Sequence, residues 1–381
     1  MKFIHTSDWH IGRQFHNVSL LEDQKYVLEQ IIDYLGSEEV DALIISGDIY
    51  DRSVPPASAV EVLDDVFHRV STQFNIPIII ISGNHDSAQR LSFAARQLKE
   101  VGLHILGDIT KVDTPIRVTG KSGVEVNFYG IPYNDPEEVR NTFDEKISGY
   151  NAAHTFLVDK IKESRDEKKR NVLLSHCFIG GAIESDSERP LSIGGADNVS
   201  YEPLMDFDYV ALGHLHGPQF RGKETIRYSG SIMKYSFSEQ HQKKAVTLVD
   251  IPEVGEVSMK QLPLKSLRNL RIIEDEMDKI LEEGKTDPNN EDYIMVRLTD
   301  THAILDAMGK LREVYPNVLH LEKTGIMKTG EKRDMNREML KRKPIDMFHD
   351  FYEQVSGQKI TDEQSSALEG ILKSLNKVEA K

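Results

Sequence analysis

The sequence predicts a mixed α/β sandwich, followed by a small α/β module and a helical tail. Three observations predict it. Through the first two-thirds of the chain, short β-branched runs bounded by Gly, Asp and Pro alternate with stretches of helical spacing, the pattern of buried strands in an α/β sheet. Later apolar runs come without long helices between them, so part of the sheet is expected to be antiparallel or to form a second sheet. From about Asn269 the texture changes to short alternating helix and strand segments.

In chain order, "KFIH" is a strand ahead of a helical pattern at 21–35. "DALIIS" precedes a helix at 57–70, and "IPIIIIS" precedes one at 87–101. The runs "VEVNFYGI", "NVLLS", "DYVALG", "TIRYSG" and "AVTLVDI" then read as strands. In the following module "EDEMDKILEEG" and "AILDAMGKLREVY" read as helices, "YIMVRL" and "VLHLEK" as strands, and "GKTDPNNED" as a polar loop. Residues 328–343 carry seven Lys or Arg against three Asp or Glu, a local +4, and read as a charged linker. The tail reads as two amphipathic helices. Pro344 suits a first turn, with Ile345, Phe348, Phe351, Tyr352 and Val355 on one face. After the break at "SGQ", Thr361 and Gln364 form a capping box, and Leu368, Ile371, Leu372 and Leu375 follow at helical spacing. The expected divisions are 1–270, 271–327, 328–343 and 344–381. The pattern alone suits the tail equally to packing on its own body and to docking a partner helix.

At 381 residues, with 39% hydrophobic and 29% charged, this is an ordinary soluble globular composition for two or three domains. No run of about 18 apolar residues is present, so no membrane span is expected. The N-terminus is too polar for a signal peptide. Cys177 is the one cysteine, which excludes an intrachain disulfide and points to a reducing, cytoplasmic setting. The net charge of −15 argues against a general nucleic-acid binder held by bulk positive charge. A nucleic-acid enzyme stays open, because bound metals, local basic patches or a partner subunit can supply positive charge.

Five of these apolar runs lead into Ser or Gly and then into metal-capable side chains. Asp8 and His10 follow the first, Asp48 the second, and Asn84, His85 and Asp86 the third. His176 follows "NVLLS", and His214 and His216 follow "DYVALG". Strand carboxyl ends in an α/β sheet share one rim, where ligands bind. A lone Asp after a strand is most often a helix cap. Five strand ends delivering Asp, His and Asn to one rim point instead to a metal site. Carboxylate, imidazole and amide without thiolate speak against a Cys-rich structural Zn²⁺ site and suit hard or borderline ions such as Mn²⁺. Seven ligands exceed one ion's needs and suit two ions sharing a carboxylate. Such a pair, about 3.5–4 Å apart, clamps an in-line displacement at phosphorus by water. His85 is left over. A histidine, with a free pKa of about 6.5, can protonate the leaving oxygen at neutral pH, and Asp86 beside it is placed to orient it.

The ordered set Asp8-Trp9-His10, Gly47-Asp48, Gly83-Asn84-His85-Asp86, His176 and Gly213-His214-Leu215-His216 resembles the calcineurin-like metallophosphoesterases. With "SGDIYDRSVPP", "SIGGADNVS" and "FDYVALGHLHGPQ", the chain is similar to the branch of that family formed by bacterial double-strand-break repair nuclease subunits. The resemblance spans the body to about residue 270. It implies a capping domain in the next module and a partner-binding segment in the tail helices. It also implies that Asp8, His10, Asp48 and His216 hold one Mn²⁺ and Asp48, Asn84, His176 and His214 a second, with Asp48 bridging and His85 catalytic. Ile232 stands where the family has proline, which touches loop shape and leaves the metal set intact. The implied activity is Mn²⁺-dependent hydrolysis of double-stranded DNA ends, 3′ to 5′, and of hairpins, in DNA repair, replication and recombination. The implied partners are a coiled-coil ATPase gripped by the tail helices and a second copy of the chain. The alternatives are a metallophosphatase acting on small phosphoesters or phosphoproteins, and a partner scaffold with a vestigial site.

Other positions carry less. Ser87 and Arg90 suit DNA phosphate contacts, but also helix capping and a solvated charge. Trp9 reads as a packed aromatic, Cys177 as a small buried residue, and His5 as a core or supporting residue. His16 is undecided between loop and DNA entrance. "GKS" at Gly120 and "GKT" at Gly284 resemble the end of a P-loop. The motif's earlier glycine is replaced by Pro115 and Lys279, so no ATP site of this type is expected.

Overall fold

The computed structural model describes residues 1–188, 198–302, 304–324, 345, 348–349, 352 and 358–378. The chain divides into two compact units, Met1–Asn269 and Leu270–Lys381.

The first unit is built on two six-stranded mixed sheets. In the first sheet, β1 (Lys2–Thr6), β2 (Ala42–Ser46), β3 (Ile78–Ile81) and β4 (Leu103–Leu106) pair in parallel in that order. Helix α1 (Leu21–Ser37) follows β1, and α2 (Ala57–Arg69) follows β2. The second sheet holds β5 (Ile116–Thr119), β6 (Glu125–Ile131), β7 (Arg170–His176), β8 (Tyr209–Gly213), β9 (Gln219–Arg221) and β10 (Lys223–Tyr228). Its order is β9-β10-β8-β7-β6-β5, with the central pairs parallel and both edge pairs antiparallel. The chain then returns to the first sheet. β11 (Ala245–Asp250) adds antiparallel to β1, and β12 (Ser258–Pro263) antiparallel to β11. This is the expected mixed α/β sandwich, with both the second sheet and the antiparallel pairing.

Strand periodicity of two explains the layers. Phe3, Ala42, Ile44, Ile79 and Ile81 of the first sheet share one core with Val126, Phe128, Val172, Leu174, Tyr209 and Ala211 of the second. Each large apolar side chain among them, fully buried, contributes about 1.5–3 kcal/mol. The alternate residues Tyr129, Leu173, Val210 and Leu212 pack with α3 (Tyr150–Ser164) through Ala153, Leu157, Val158 and Ile161. Because β1, β2 and β3 are mutually parallel, as are β7 and β8, each group ends on one rim. The rims meet where Ser46 Oγ donates to the Ala211 carbonyl at 3.0 Å.

The second unit contains β13 (Leu270–Asp275), α4 (Met277–Gly284), β14 (Tyr293–Leu298), α5 (Ala307–Arg312) and β15 (Val318–Lys323). Its three strands form a parallel sheet over a core that includes Met277, Ile280, Val296, Leu311 and Tyr315. In the tail, α6 (Asp362–Val378) starts at the expected capping box. Thr361 N–H donates to Gln364 Oε1 at 3.0 Å and Gln364 N–H to Thr361 Oγ1 at 3.3 Å. The charged linker 328–343 lies outside the described residues. So do Pro344, Phe351 and Val355 of the first tail helix and most of "SIGGADNVS". Among the described residues no helix is long and apolar enough to cross a membrane.

Three elements differ from expectation. The helix expected over 87–101 is two single turns, Ala88–Leu91 and Ala95–Leu98, separated at Ala94 with a left-handed φ of 58°. Neither turn buries a residue, so no packing sustains a longer helix. α5 starts late because Asp306, at φ 49°, turns back to accept the Gly309 N–H. β13 escaped the sequence reading because its pairing with β14 is non-local.

Candidate metal centre

The loops after β1, β2, β3, β7 and β8 converge. Asp8 N–H donates to the Gly47 carbonyl at 3.1 Å and His10 N–H to that of Asp48 at 2.9 Å, lacing the first two loops together. Four of the seven expected ligands sit on left-handed backbone: Asp8 (φ 53°), His10 (46°), Asp48 (50°) and His214 (106°). Each such non-glycine residue costs on the order of 1–3 kcal/mol, a cost that concentrates at functional sites. The glycines are required by close approach. A Cβ on Gly213 would stand 1.8 Å from the Ser46 carbonyl oxygen, and one on Gly83 would stand 2.1 Å from Asp48 Oδ1.

All seven expected ligands are brought together. Asp48 Oδ2 lies 3.6 Å from His10 Nε2 on one side and 3.6 Å from His176 Nε2 on the other. His10 Nε2 is 3.1 Å from His216 Nε2. Asn84 Oδ1 lies 3.0 Å from His176 Nε2 and 3.3 Å from His214 Nδ1. Asp8 accepts the His214 N–H at 3.0 Å and the Ser7 hydroxyl at 2.6 Å. Two groups, Asp8–His10–His216 and Asp8–Asp48–His176, have donor atoms within 4.8 Å of one another and are fully buried.

The chemistry of these donors fits divalent cations. His176 Nδ1 donates to the Ser46 carbonyl at 2.9 Å, so Nε2 of the neutral ring carries a lone pair. That lone pair faces Asn84 Oδ1 and Asp48 Oδ2, both acceptors, an arrangement that calls for positive charge. Burial drives the ionisations of His10, His176 and His214 down, which keeps the rings in the neutral form that ligates metals. Burial, and then the neighbouring Asp48, pushes the Asp8 carboxyl up. A cation placed between the two carboxylates offsets that cost.

His85 stands at the edge of this cluster, its ring 4.6 Å from that of His10 in an edge-on contact. Its N–H donates to Asp48 Oδ1 at 2.8 Å, and its Nδ1 lies 2.7 Å from the Asp51 carbonyl. The group that orients the His85 ring is therefore Asp51. The expectation that Asp86 does so is corrected. Both oxygens of Asp86 are occupied by the N–H groups of Ile49, Tyr50 and Gly83 at 2.9–3.1 Å, clamping the Asp48 loop to the Asn84 loop.

Sequence reasoning missed Asp51, although it stands in the quoted "SGDIYD". Its carboxylate lies 3.9 Å from His10 Nδ1 and 3.4 Å from Arg13 Nη1, and His10, Asp51 and His85 form a third potential donor group. It also missed Ser187, Glu239 and Lys244, which line up behind His216 from distant segments. No local pattern marks them.

Ser87 caps the short turn after the site by accepting the Arg90 N–H at 3.4 Å, and the Arg90 side chain is exposed. Trp9 is fully buried, its indole N–H donating to Thr6 Oγ1. His5 bonds Tyr209 and the Leu212 carbonyl inside the core, away from the ligands. Burial pushes the Cys177 thiol up to about 12, which leaves it unreactive.

Comparison with known proteins matches residues 1–218 to the family of calcineurin-like phosphoesterases. Residues 266–356 match a family described as the type 5 capsule protein repressor C-terminal domain. The D subunit of the nuclease SbcCD from Staphylococcus epidermidis is 35% identical over 373 residues, covering 98% of this chain and 98% of its own. Among solved structures, the TT1561 protein of Thermus thermophilus is similar over 68% of this chain and 98% of its own, at 13% identity and a TM-score of 0.38. A dimetal phosphatase from Danio rerio is similar over 69% of this chain and 96% of its own, at 11% identity and a TM-score of 0.40.

Proposed function

The chain belongs to the calcineurin-like phosphoesterase family as a homologue of the SbcCD nuclease's D chain, and from that premise we propose that it is the nuclease subunit of an SbcCD-like complex. It is a metal-dependent hydrolase. Its proposed substrates are double-stranded DNA ends, cut 3′ to 5′, and hairpins, cut endonucleolytically, in DNA repair, replication and recombination. The observation that carries this reading is the position of Asp48 Oδ2, equidistant from His10 on one side and His176 on the other.

Asp8, His10, Asp48 and His216 would hold one Mn²⁺, and Asp48, Asn84, His176 and His214 the other. When bound, such a pair neutralises phosphoryl oxygens and makes water nucleophilic at neutral pH. The remaining steps fall to side chains. His85 Nδ1 is occupied by the Asp51 carbonyl, which leaves Nε2 as the position that gives a proton to the departing oxygen. Asp86, through three amides, holds the loops that carry Asp48 and Asn84 in register. Ser87 and Arg90 remain proposed phosphate contacts at the rim.

The proposed protein partner is an SbcC-like coiled-coil ATPase, docked through the C-terminal helices. The relative that forms one subunit of the SbcCD nuclease, matched over 98% of this chain and so including the tail, supports that assignment. A homodimer is proposed from the exposed Val54, Val60, Phe93 and Val101, which border a groove of about 770 Å³ reaching Asp86 and Ser87. The proposed setting is cytoplasmic. Substrate class is tested by comparing turnover of a chromogenic phosphomonoester with cleavage of end-labelled duplex and hairpin DNA, in Mn²⁺ and with the ATPase partner. DNA is expected to be the far better substrate. Efficient monoester turnover beside intact DNA would overturn the reading in favour of a phosphatase.

A further inference from the structure

A buried polar chain runs from His216 away from the metal centre. Ser187 Oγ lies 2.6 Å from His216 Nδ1 and within hydrogen-bond reach of Glu239 Oε1. The other carboxylate oxygen, Glu239 Oε2, pairs with Lys244 Nζ at 2.6 Å, the side chains being 0% and 2% exposed. Lys244 Nζ also lies 2.8 Å from the His216 carbonyl oxygen, 2.8 Å from Ser231 Oγ and 2.7 Å from Gln242 Oε1, so its three N–H groups are shared among four acceptors. Glu188 Oε1 accepts the His216 main-chain N–H at 2.7 Å. Ring, N–H and carbonyl of this one histidine are thus all held.

The direction of the bonds follows from the donor inventory. The Glu239 carboxylate, paired with Lys244, only accepts, so it takes the single proton of the Ser187 hydroxyl. Ser187 Oγ is then the acceptor for His216 Nδ1–H. Nε2 is left with its lone pair, aimed at the space shared with His10 Nε2, 3.1 Å away. The corresponding partner of His176 is a neutral main-chain carbonyl, that of Ser46. A carboxylate behind a ligating imidazole fixes its tautomer and raises its basicity. A carbonyl fixes the tautomer with less effect on basicity.

We propose that Glu239, acting through Ser187, is a positioning residue for His216 and strengthens the Asp8–His10–His216 cluster over the Asn84–His176–His214 cluster as a site for a divalent cation. The inference rests on the two-metal reading above. The test is a calorimetric Mn²⁺ titration of the full chain as wild type, Ser187→Ala, Ser187→Thr and Glu239→Gln, with thermal melts of the metal-free forms. Ser187→Ala is the decisive variant, since it removes the hydroxyl that bridges His216 Nδ1 and Glu239 Oε1, which stand 3.5 Å apart, and leaves the Glu239–Lys244 pair in place. Wild type should take up two ions. Ser187→Ala and Glu239→Gln should each weaken one of the two by about 10–100-fold and leave the other unchanged. Ser187→Thr, which keeps the hydroxyl, should restore wild-type uptake. If wild type itself does not bind two ions, the two-metal reading fails. If wild type binds two and Ser187→Ala binds both equally well, weakens both alike, or is matched by Ser187→Thr, the positioning role fails.

Discussion

His85→Ala is expected to bind two Mn²⁺ ions as wild type does and to cut DNA about 10²–10⁴-fold more slowly, the usual contribution of a positioned general acid. The geometry separates the two roles. His85 contributes its main-chain N–H to Asp48 Oδ1, a bond that alanine keeps. Its ring meets the cluster edge-on, against His10. Removing the ring strands the Asp51 carbonyl, at a cost of about 1–3 kcal/mol where that group stays dry, so a thermal melt should accompany the kinetics. Single-turnover cleavage of labelled hairpin DNA, paired with Mn²⁺ calorimetry, reads both quantities. A variant that cuts normally, or that loses an ion, would remove His85 from the proton-transfer role.

Asp48→Ala should be more severe in metal binding than the loss of any other ligand. Asp48 Oδ2 is the atom that stands 3.6 Å from a histidine of each cluster, and Asp48 Oδ1 carries the His85 N–H. Its loss takes the shared carboxylate from both proposed ions at once. Mn²⁺ affinity should fall for both by at least about 100-fold, the upper end of what losing an outer partner costs. DNA cleavage should fall with it. Loss of only one ligand set, as in His176→Ala, should spare the ion near His10. Retention of one ion at wild-type affinity in Asp48→Ala would show that the carboxylate is not shared.

The rim was legible in the sequence because its logic is local. Each strand is a continuous apolar run, and each ligand follows within a few residues of the run's end. The glycines of G-D, G-N-H-D and G-H-x-H stood in view, though the clashes that require them are with other segments: Gly213 against Ser46 of the other sheet, and Gly83 against Asp48 of the neighbouring loop. The family expected from the motif order is the one whose match covers residues 1–218. What stayed hidden depends on distant segments. Glu239 reaches His216 through Ser187, 52 residues away from it in the chain. β11 pairs with the edge of β1 only after the whole second sheet has intervened in the chain. Asp86 follows His85 in sequence, which suggested a partnership. Its carboxylate instead goes to the main chain of Ile49, Tyr50 and Gly83. The left-handed backbone at Asp8, His10, Asp48 and His214 has no signature in residue type beyond the tolerance of Asp and His for that region.

The shared role of Asp48 is tested most directly by anomalous diffraction from crystals of the full chain grown with Mn²⁺. Two peaks are predicted, one among Asp8, His10 and His216 and one among Asn84, His176 and His214, with Asp48 between them. A single peak, or ions bound away from Asp48, would contradict a two-metal centre.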